Sequence, residues 1–256
     1  MAEEPPVFDW PQSSRELVVW RSIGRRPRFF LRDDDAVSDT PALQRLFGLC
    51  RRHGVPLMLA AIPVYADQSL AHLVRDEPLV TVAVHGYAHA NHAPFGQKPS
   101  ELGIDRPTDE VIGELRKGRE KLLAQLGGRL SGLLVPPWNR IHAEIAIRIG
   151  EAGFAGISAH GREDTPGSVA TVHCNVDLIH WSVGRAGRTL EWLDAEIARA
   201  LAEAREDQSA AVGILAHHLA HDDAAWRALE AIFTRFTASE VEWVAADALL
   251  HLETQA

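Results

Sequence analysis

The stretch LVTVAVHGYAHANH, residues 79–92, decides how this chain is read. It opens with an almost unbroken apolar run, LVTVAV (79–84), built from residues that favour extended backbone. The run does not alternate apolar with polar. A continuous run is what a strand needs when both faces of its sheet are covered, as in parallel α/β architectures. The run then stops at His85, and His89 and His92 follow four and three positions later. On a helix the three would share a face, and His85 and His89 could reach one metal ion from a single helical turn. Gly86 stands where an HExxH motif has its glutamate base, so any carboxylate must come from elsewhere in the chain.

Working outward, the same kind of strand recurs. RFFL (28–31), PLMLAAI (56–62), LSGLLV (130–135), FAGISA (154–159), a segment within 171–179, AVGILA (211–216) and VEWVA (241–245) all read as strands. Between them lie helical patterns: about 40–53, with Pro41 suited to a first helical position, a short one in SLAHLVRD, then 108–126, 143–151, 189–206 and 223–236. Seven or eight strands alternating with helices predict an α/β fold, a distorted (β/α)7-type barrel in a single domain. The competing arrangement is an open doubly wound sheet. The expected organisation is an N-terminal extension over 1–27 and the barrel domain over 28–256.

Composition sets the class. The 256 residues are 46% hydrophobic and 24% charged, ordinary for a globular enzyme. A net charge of −9 argues against a nucleic-acid partner. No apolar run is long enough to predict a membrane span. The start, MAEEPPVFDWPQSSR, lacks the apolar core of a secretory signal, from which a cytoplasmic location is expected. Cys50 and Cys174 form no CxxC motif and are expected as reduced thiols. Nothing in the sequence fixes an oligomeric state.

Where the strands end carries the chemical information. FFL runs into Arg32-Asp33-Asp34-Asp35, TVAV into His85-Gly86-Tyr87-Ala88-His89, GLLV into Pro136-Pro137-Trp138-Asn139, and GILA into His217-His218. Each group alone has a plainer reading: a solvated acidic loop, a surface HxxxH, a rigid turn with a buried indole, a polar helix start. Together they fall where α/β folds build their sites, at the carboxyl ends of strands. A hydrolytic set needs a metal-activated water, a carboxylate base and an acid facing it. The histidine pair and the Asp33–Asp35 run supply the first two, and His217 is placed to be the acid.

Taken in order, these residues resemble the polysaccharide deacetylase family, carbohydrate esterase family 4, from about Arg28 to about Trp243. The resemblance implies a distorted barrel of about seven strands. The family's first motif is an Asp-Asp pair, a base followed by a metal ligand, which falls on Asp34 and Asp35. Its His-Ser/Thr-x-x-His motif falls on His85 and His89 as metal ligands, with Gly86 in place of the hydroxyl residue and no role for His92. Its Arg-Pro-Pro-Tyr-Gly motif falls on Val135-Pro136-Pro137-Trp138-Asn139. This gives Trp138 the oxyanion-binding backbone N–H and leaves the motif arginine missing. Arg32 or Arg140 is the expected substitute. Asp177 and Trp181 match the fourth motif. Leu215 and His217 match the fifth, the leucine lining the acetyl pocket and the histidine acting as general acid.

The implied activity is metal-dependent removal of an acetyl group from an N- or O-acetylated sugar or glycan precursor. The implied cofactor is a divalent metal ion, zinc first, with cobalt, nickel and manganese as alternatives. Two other readings use the same residues: a metal-dependent hydrolase of a non-sugar amide, and a catalytically weakened barrel that binds a glycan. The tuning of Asp34 is assigned to Arg32, Arg140 or Asp177.

Overall fold

The computed structural model describes residues 8–161, 169–207 and 210–250. Its strands are β1 (Arg28–Ala36), β2 (Leu57–Ala61), β3 (Val80–His85), β4 (Leu130–Val135), β5 (Gly156–His160), β6 (Ala170–Cys174), β7 (Val176–Asp177), β8 (Ile179–His180), β9 (Ala186–Gly187), β10 (Val212–Ala216) and β11 (Glu242–Trp243). The helices are α1 (Pro11–Ser22), α2 (Pro41–His53), α3 (Gln68–Arg75), α4 (Thr108–Leu126), α5 (Ala143–Ala146), α6 (Leu190–Glu206), α7 (Asp223–Arg235) and α8 (Ala246–Leu250).

The main sheet runs β6-β5-β4-β3-β2-β1-β10-β7, and every pairing along it is parallel. Because β7 follows β6 after the single residue Asn175, the two act as one kinked stave, and the sheet curls back on itself. Asn175 fastens the seam: its N–H donates to the Gly213 carbonyl, and its Oδ1 accepts from the Gly213 N–H, both at 2.9 Å. The result is the distorted α/β barrel expected from the sequence, and the open-sheet alternative is set aside.

The continuous apolar strands fill two separate cores, because successive residues of a strand point to opposite faces. Phe30, Met58, Ala60, Ala83, Leu133, Val135 and Leu215 point into the barrel. Phe29, Leu31, Leu57, Leu59, Val82, Val84, Leu134 and Ile214 point outward, against the helices. Ala246, Leu249 and Leu250 of α8 plug the amino-terminal end, where Asp247 Oδ1 accepts from Ser131 Oγ at 2.5 Å and Gly132 N–H at 3.2 Å. The opposite, carboxyl-terminal mouth is left to the polar groups.

Local signals place the helices. Thr40 caps α2 by accepting from Leu43 N–H, with Pro41 in the first turn and Gly54 at φ 67° ending it. Asp67, Thr189 and Asp222 cap α3, α6 and α7 in the same way. The structure departs from the expected elements in three places. The strand expected within 171–179 breaks into β6, β7 and β8, since Asn175 turns aside to close the barrel. The helix expected over 143–151 splits into α5 and a 3-10 turn over Ile149–Ala152. The extension 1–27 contains α1, which packs on α6 with Trp10, Leu17 and Trp20 buried in the outer core.

Among the described residues no helix is long and apolar enough to cross a membrane. Both cysteines are free and buried.

The first turn of α1 has no cap of its own; Asp194 supplies one from α6. Its Oδ2 accepts from Gln12 N–H at 2.8 Å, and its Oδ1 from Ser13 N–H at 2.9 Å and Ser13 Oγ at 2.6 Å. Replacing a buried acceptor strands its donors, so Asp194→Ala is expected to cost about 1–3 kcal/mol in denaturant unfolding. Unchanged stability would show that α1 is held by its apolar face alone.

Candidate active site

The mouth of the barrel is organised by β1. Alternation along the strand sends Arg32 and Asp34 inward and Asp33 outward. Between Asp33 and Ala36 the pairing with β2 shifts register, and Asp35 takes a left-handed backbone at φ 72°. A bulge of this kind re-aims a side chain. Here it turns Asp35 onto the rim instead of the outer face, so neighbouring carboxylates serve different partners.

Asp35 meets the two histidines. Its Oδ1 lies 3.3 Å from His85 Nε2 and 3.5 Å from His89 Nε2, and the three ligand atoms lie within 4.8 Å of one another. Bonds of about 2.0–2.1 Å at tetrahedral angles put zinc ligands about 3.3 Å apart, which matches this spacing. The Asp35 Oδ1 is buried and lacks a hydrogen bond among the described residues, as a ligand atom facing a cation would be. His85 Nδ1–H donates to the Val135 carbonyl at 3.0 Å, leaving its Nε2 lone pair toward the cluster. The residues therefore fit a divalent cation. His92 lies exposed and outside the cluster.

The charges are set by position. Burial alone would raise the Asp35 carboxyl, but the imidazoles of His85, His217 and His89 hold it below the usual range. Burial lowers His89, and neighbouring His85 lowers it further, which favours the neutral, ligating imidazole. His85 is burdened by burial too, yet Asp34 and Asp35 raise it.

Asp34 is only 2% exposed, and Arg32 is fully buried. The guanidinium pairs with the carboxylate: Nη2–H donates to Oδ2 at 2.9 Å, and Nε stands 2.9 Å from Oδ1 as an ion pair without a formed hydrogen bond. Its other hydrogens go to the Ser158 carbonyl at 2.9 Å, Ser158 Oγ at 3.0 Å and Asn139 Oδ1 at 2.5 Å. Burial would raise Asp34, but Arg32, then His85 and His217, hold it below the ordinary carboxylate range. Of the three residues assigned to tune Asp34, only Arg32 touches it. Arg140 is a correction: its Nη1 donates to the Pro99 carbonyl at 3.0 Å. Asp177 does not touch Asp34: its oxygens accept from Ile179 N–H at 2.9 Å and Trp181 Nε1–H at 2.8 Å, while its charge acts on Arg32.

His217 reaches the same mouth from β10, its Nε2 3.8 Å from Asp34 Oδ2. The Trp181 indole packs edge-on against it at 4.7 Å, and Leu215 lies buried two residues below on the inner face. Across the mouth the Trp138 ring sits 4.3 Å from His89. Trp138 and Asn139 both adopt left-handed backbone, φ 54° and 56°, an unfavourable state for large side chains.

The HxxxH spacing reads as one helical turn, and the structure corrects this. His85 ends a strand, and residues 86–89 form a turn with Gly86 at φ 60° and His89 at φ 52°. The buried carboxylate of Glu101 accepts from the N–H groups of Tyr87 at 3.2 Å and Ala88 at 2.7 Å, so the turn is braced from another segment.

Sequence reasoning missed several residues. Glu101 lies in a motif-free stretch, and Asn139 and Ser158 gave no signal as partners of Arg32. His160, ending β5, adds an imidazole near Asp177, Asp34 and His217. Asp33, which falls outside the Asp-Asp motif, pairs on the outer face with His218: Nδ1 to Oδ1 is 2.5 Å, and the His218 N–H donates to Oδ2 at 2.7 Å. Its signal was present, since strand alternation sends Asp33 and His218 to the face opposite Asp34 and His217.

No protein-family model matches the chain, and no curated protein matches it. Solved structures do. A family 4 carbohydrate esterase from Streptomyces lividans, in complex with acetate, is 16% identical over 84% of this chain and 90% of its own, with a TM-score of 0.55. This chain has the family 4 carbohydrate esterase fold. A family 4 acetyl xylan esterase from Clostridium thermocellum, in complex with a cobalt ion, matches at 14% identity over 89% of this chain and 92% of its own, TM-score 0.54. A mutant of a pseudoenzyme of the same family, with restored activity, matches at 17% identity over 88% of this chain and 68% of its own, TM-score 0.58. The fold thus accommodates active and inactive sites, and the side chains must decide between them.

Two tests follow from this geometry. Arg32→Met strands the Asp34 carboxylate in the interior and is expected to cost about 3–5 kcal/mol in chemical denaturation, most of it recovered by Arg32→Met/Asp34→Leu. A single variant as stable as wild type would contradict the buried pair. The second test concerns His218. Burial opposes its charge, but Asp33 raises it above the ordinary value of 6.5. A raised folded pKa gives stability that is complete below 6.5 and lost as pH climbs through the folded value. The stability gap between wild type and His218→Gln should therefore narrow as pH rises from 6; a gap that widens contradicts the pairing.

Proposed function

We propose that the protein is a metal-dependent deacetylase, removing an acetyl group from an N- or O-acetylated sugar or glycan precursor. The observation that carries this reading is the meeting, at one barrel mouth, of the Asp35–His85–His89 cluster and the pair Asp34 and His217, 3.8 Å apart. A bound divalent cation, zinc in the first instance and cobalt, nickel or manganese otherwise, would acidify a water molecule and polarise an acyl carbonyl.

The remaining work falls to the chain. Asp34, held ionised and fixed in direction by Arg32, takes the proton of the attacking water. A base with a lowered pKa abstracts protons weakly, so its value here is orientation and availability across neutral pH. His217 faces Asp34 and gives its proton to the departing amine or alcohol. The Trp138 backbone N–H, on its strained turn, is assigned to the developing oxyanion. Leu215 and Trp181, the one buried below His217 and the other packed against it, are assigned to receive the acetyl methyl. Trp181 is 44% exposed, so it can also present its face to a sugar ring.

The zinc- and cobalt-loaded protein should release acetate from acetylated chito- or xylo-oligosaccharides. Asp34→Asn should reduce turnover at least roughly 100-fold while leaving one equivalent of metal bound. An Asp34→Asn variant with full activity would sink the assignment of the base. A wild type inert on acetylated sugars but active on cyclic amides or ureides would transfer the same residues to non-sugar amide hydrolysis. Binding of glycans without turnover of either class would favour a weakened barrel.

A further inference from the structure

The segment between the second histidine of the cluster and α4 carries no sequence motif, yet it is tied down along its length. Asn91 Oδ1 accepts from Ala93 and Ser100 N–H groups at 3.0 Å each, and His92 N–H donates to the Ser100 carbonyl at 2.9 Å. Leu102 bridges to Ile141, and its carbonyl accepts from His142 N–H at 2.8 Å. The frame delivers one acidic side chain inward. Glu101 is 1% exposed, and both of its oxygens receive backbone hydrogens from the turn that ends in His89. A buried carboxylate with two backbone donors makes strong, directional hydrogen bonds. These bonds brace the two residues that lead into His89, whose own backbone is left-handed at φ 52°.

Gly86 is the other half of the arrangement. A Cβ there would lie 2.0 Å from Glu101 Oε2 and 2.5 Å from Pro137 Cγ, on a backbone with φ 60°. The space a side chain would need is occupied by the bracing carboxylate and by Pro137. The glycine that departs from the family's hydroxyl residue is therefore accounted for by what stands beside it.

We propose that Glu101 is the positioning residue of the cation site: it aims His89 Nε2 at Asp35 by bracketing the turn over 86–89, and Gly86 is required to admit it. The proposal rests on the metal reading above. Loss of a group that orients a ligand typically weakens metal affinity roughly 10- to 100-fold. Glu101→Gln keeps the volume but turns an amide N–H toward a backbone N–H, so one of the two bonds is lost.

The test is calorimetric titration of the metal-free full chain with zinc chloride and with cobalt chloride. Wild type, Glu101→Gln, Glu101→Ala and Gly86→Ser are compared with Asp194→Ala, a variant weakened far from the mouth. The expected result is one site in wild type, about 10-fold weaker binding in Glu101→Gln and up to about 100-fold in Glu101→Ala. Gly86→Ser should be weakened as well, and Asp194→Ala unchanged. The cobalt spectrum of Glu101→Gln should also shift, which a loss of stability alone would not cause. If Glu101→Ala does not fold, Glu101→Gln decides. Glu101 variants that bind like wild type overturn this proposal alone. A wild type that binds neither cation overturns the metal reading and this proposal together.

Discussion

The structure depends on one buried cation. Arg32 lies inside the barrel with no exposure to solvent, where an unpaired guanidinium would be prohibitively costly. Its hydrogens are distributed among Asp34 on its own strand, Asn139 beyond β4 and Ser158 on β5. Satisfying that one side chain therefore fixes the mouth of the barrel across three staves. It also holds the direction of Asp34, through the Nη2–H bond to Oδ2 and the close approach of Nε to Oδ1. The outer face repeats the device with Asp33 and His218, which clamp the strand end carrying His217 to β1. Two charge pairs on opposite faces of one strand hold Asp34 and His217 in a fixed relation.

Backbone strain collects at the same mouth. Asp35, His89, Trp138 and Asn139 all adopt positive φ, a state in which non-glycine residues cost free energy. Each sits where a strand ends and a side chain must leave its regular direction. Around them lie the register shift against β2 for Asp35, the Glu101 bond to Ala88 N–H just before His89, and the Arg32 bond to Asn139. The barrel below supplies the stability against which this strain is offset, with apolar cores on both faces of β1, β2, β3, β4 and β10.

Much of this was legible in the sequence, for physical reasons. Continuous apolar runs such as 79–84 report burial on both faces, and burial on both faces reports a parallel sheet with helices around it. The cap residues Thr40, Asp67 and Asp222 mark helix starts by local hydrogen bonding and need no tertiary context. Asp35, His85 and His89 meet as the motifs implied. What stayed hidden was tertiary. The helical reading of His85 and His89 failed because spacing cannot distinguish a helical turn from a turn braced by a distant Glu101. Arg32 and Arg140 were equal candidates in sequence, and only the fold shows that one enters the barrel while the other reaches Pro99. The helix α1 was missed because its polar surface gives little periodic signal and its cap, Asp194, is far along the chain.

The central claim is that Asp35, His85 and His89 hold a catalytic divalent cation beside Asp34. Crystals grown with zinc and measured at its absorption edge test it most directly. The account predicts one strong anomalous peak about 2.0–2.2 Å from Asp35 Oδ1 and from the Nε2 atoms of His85 and His89. Crystals soaked in excess zinc with no peak among those three atoms, or with the only peak at other side chains, would contradict it.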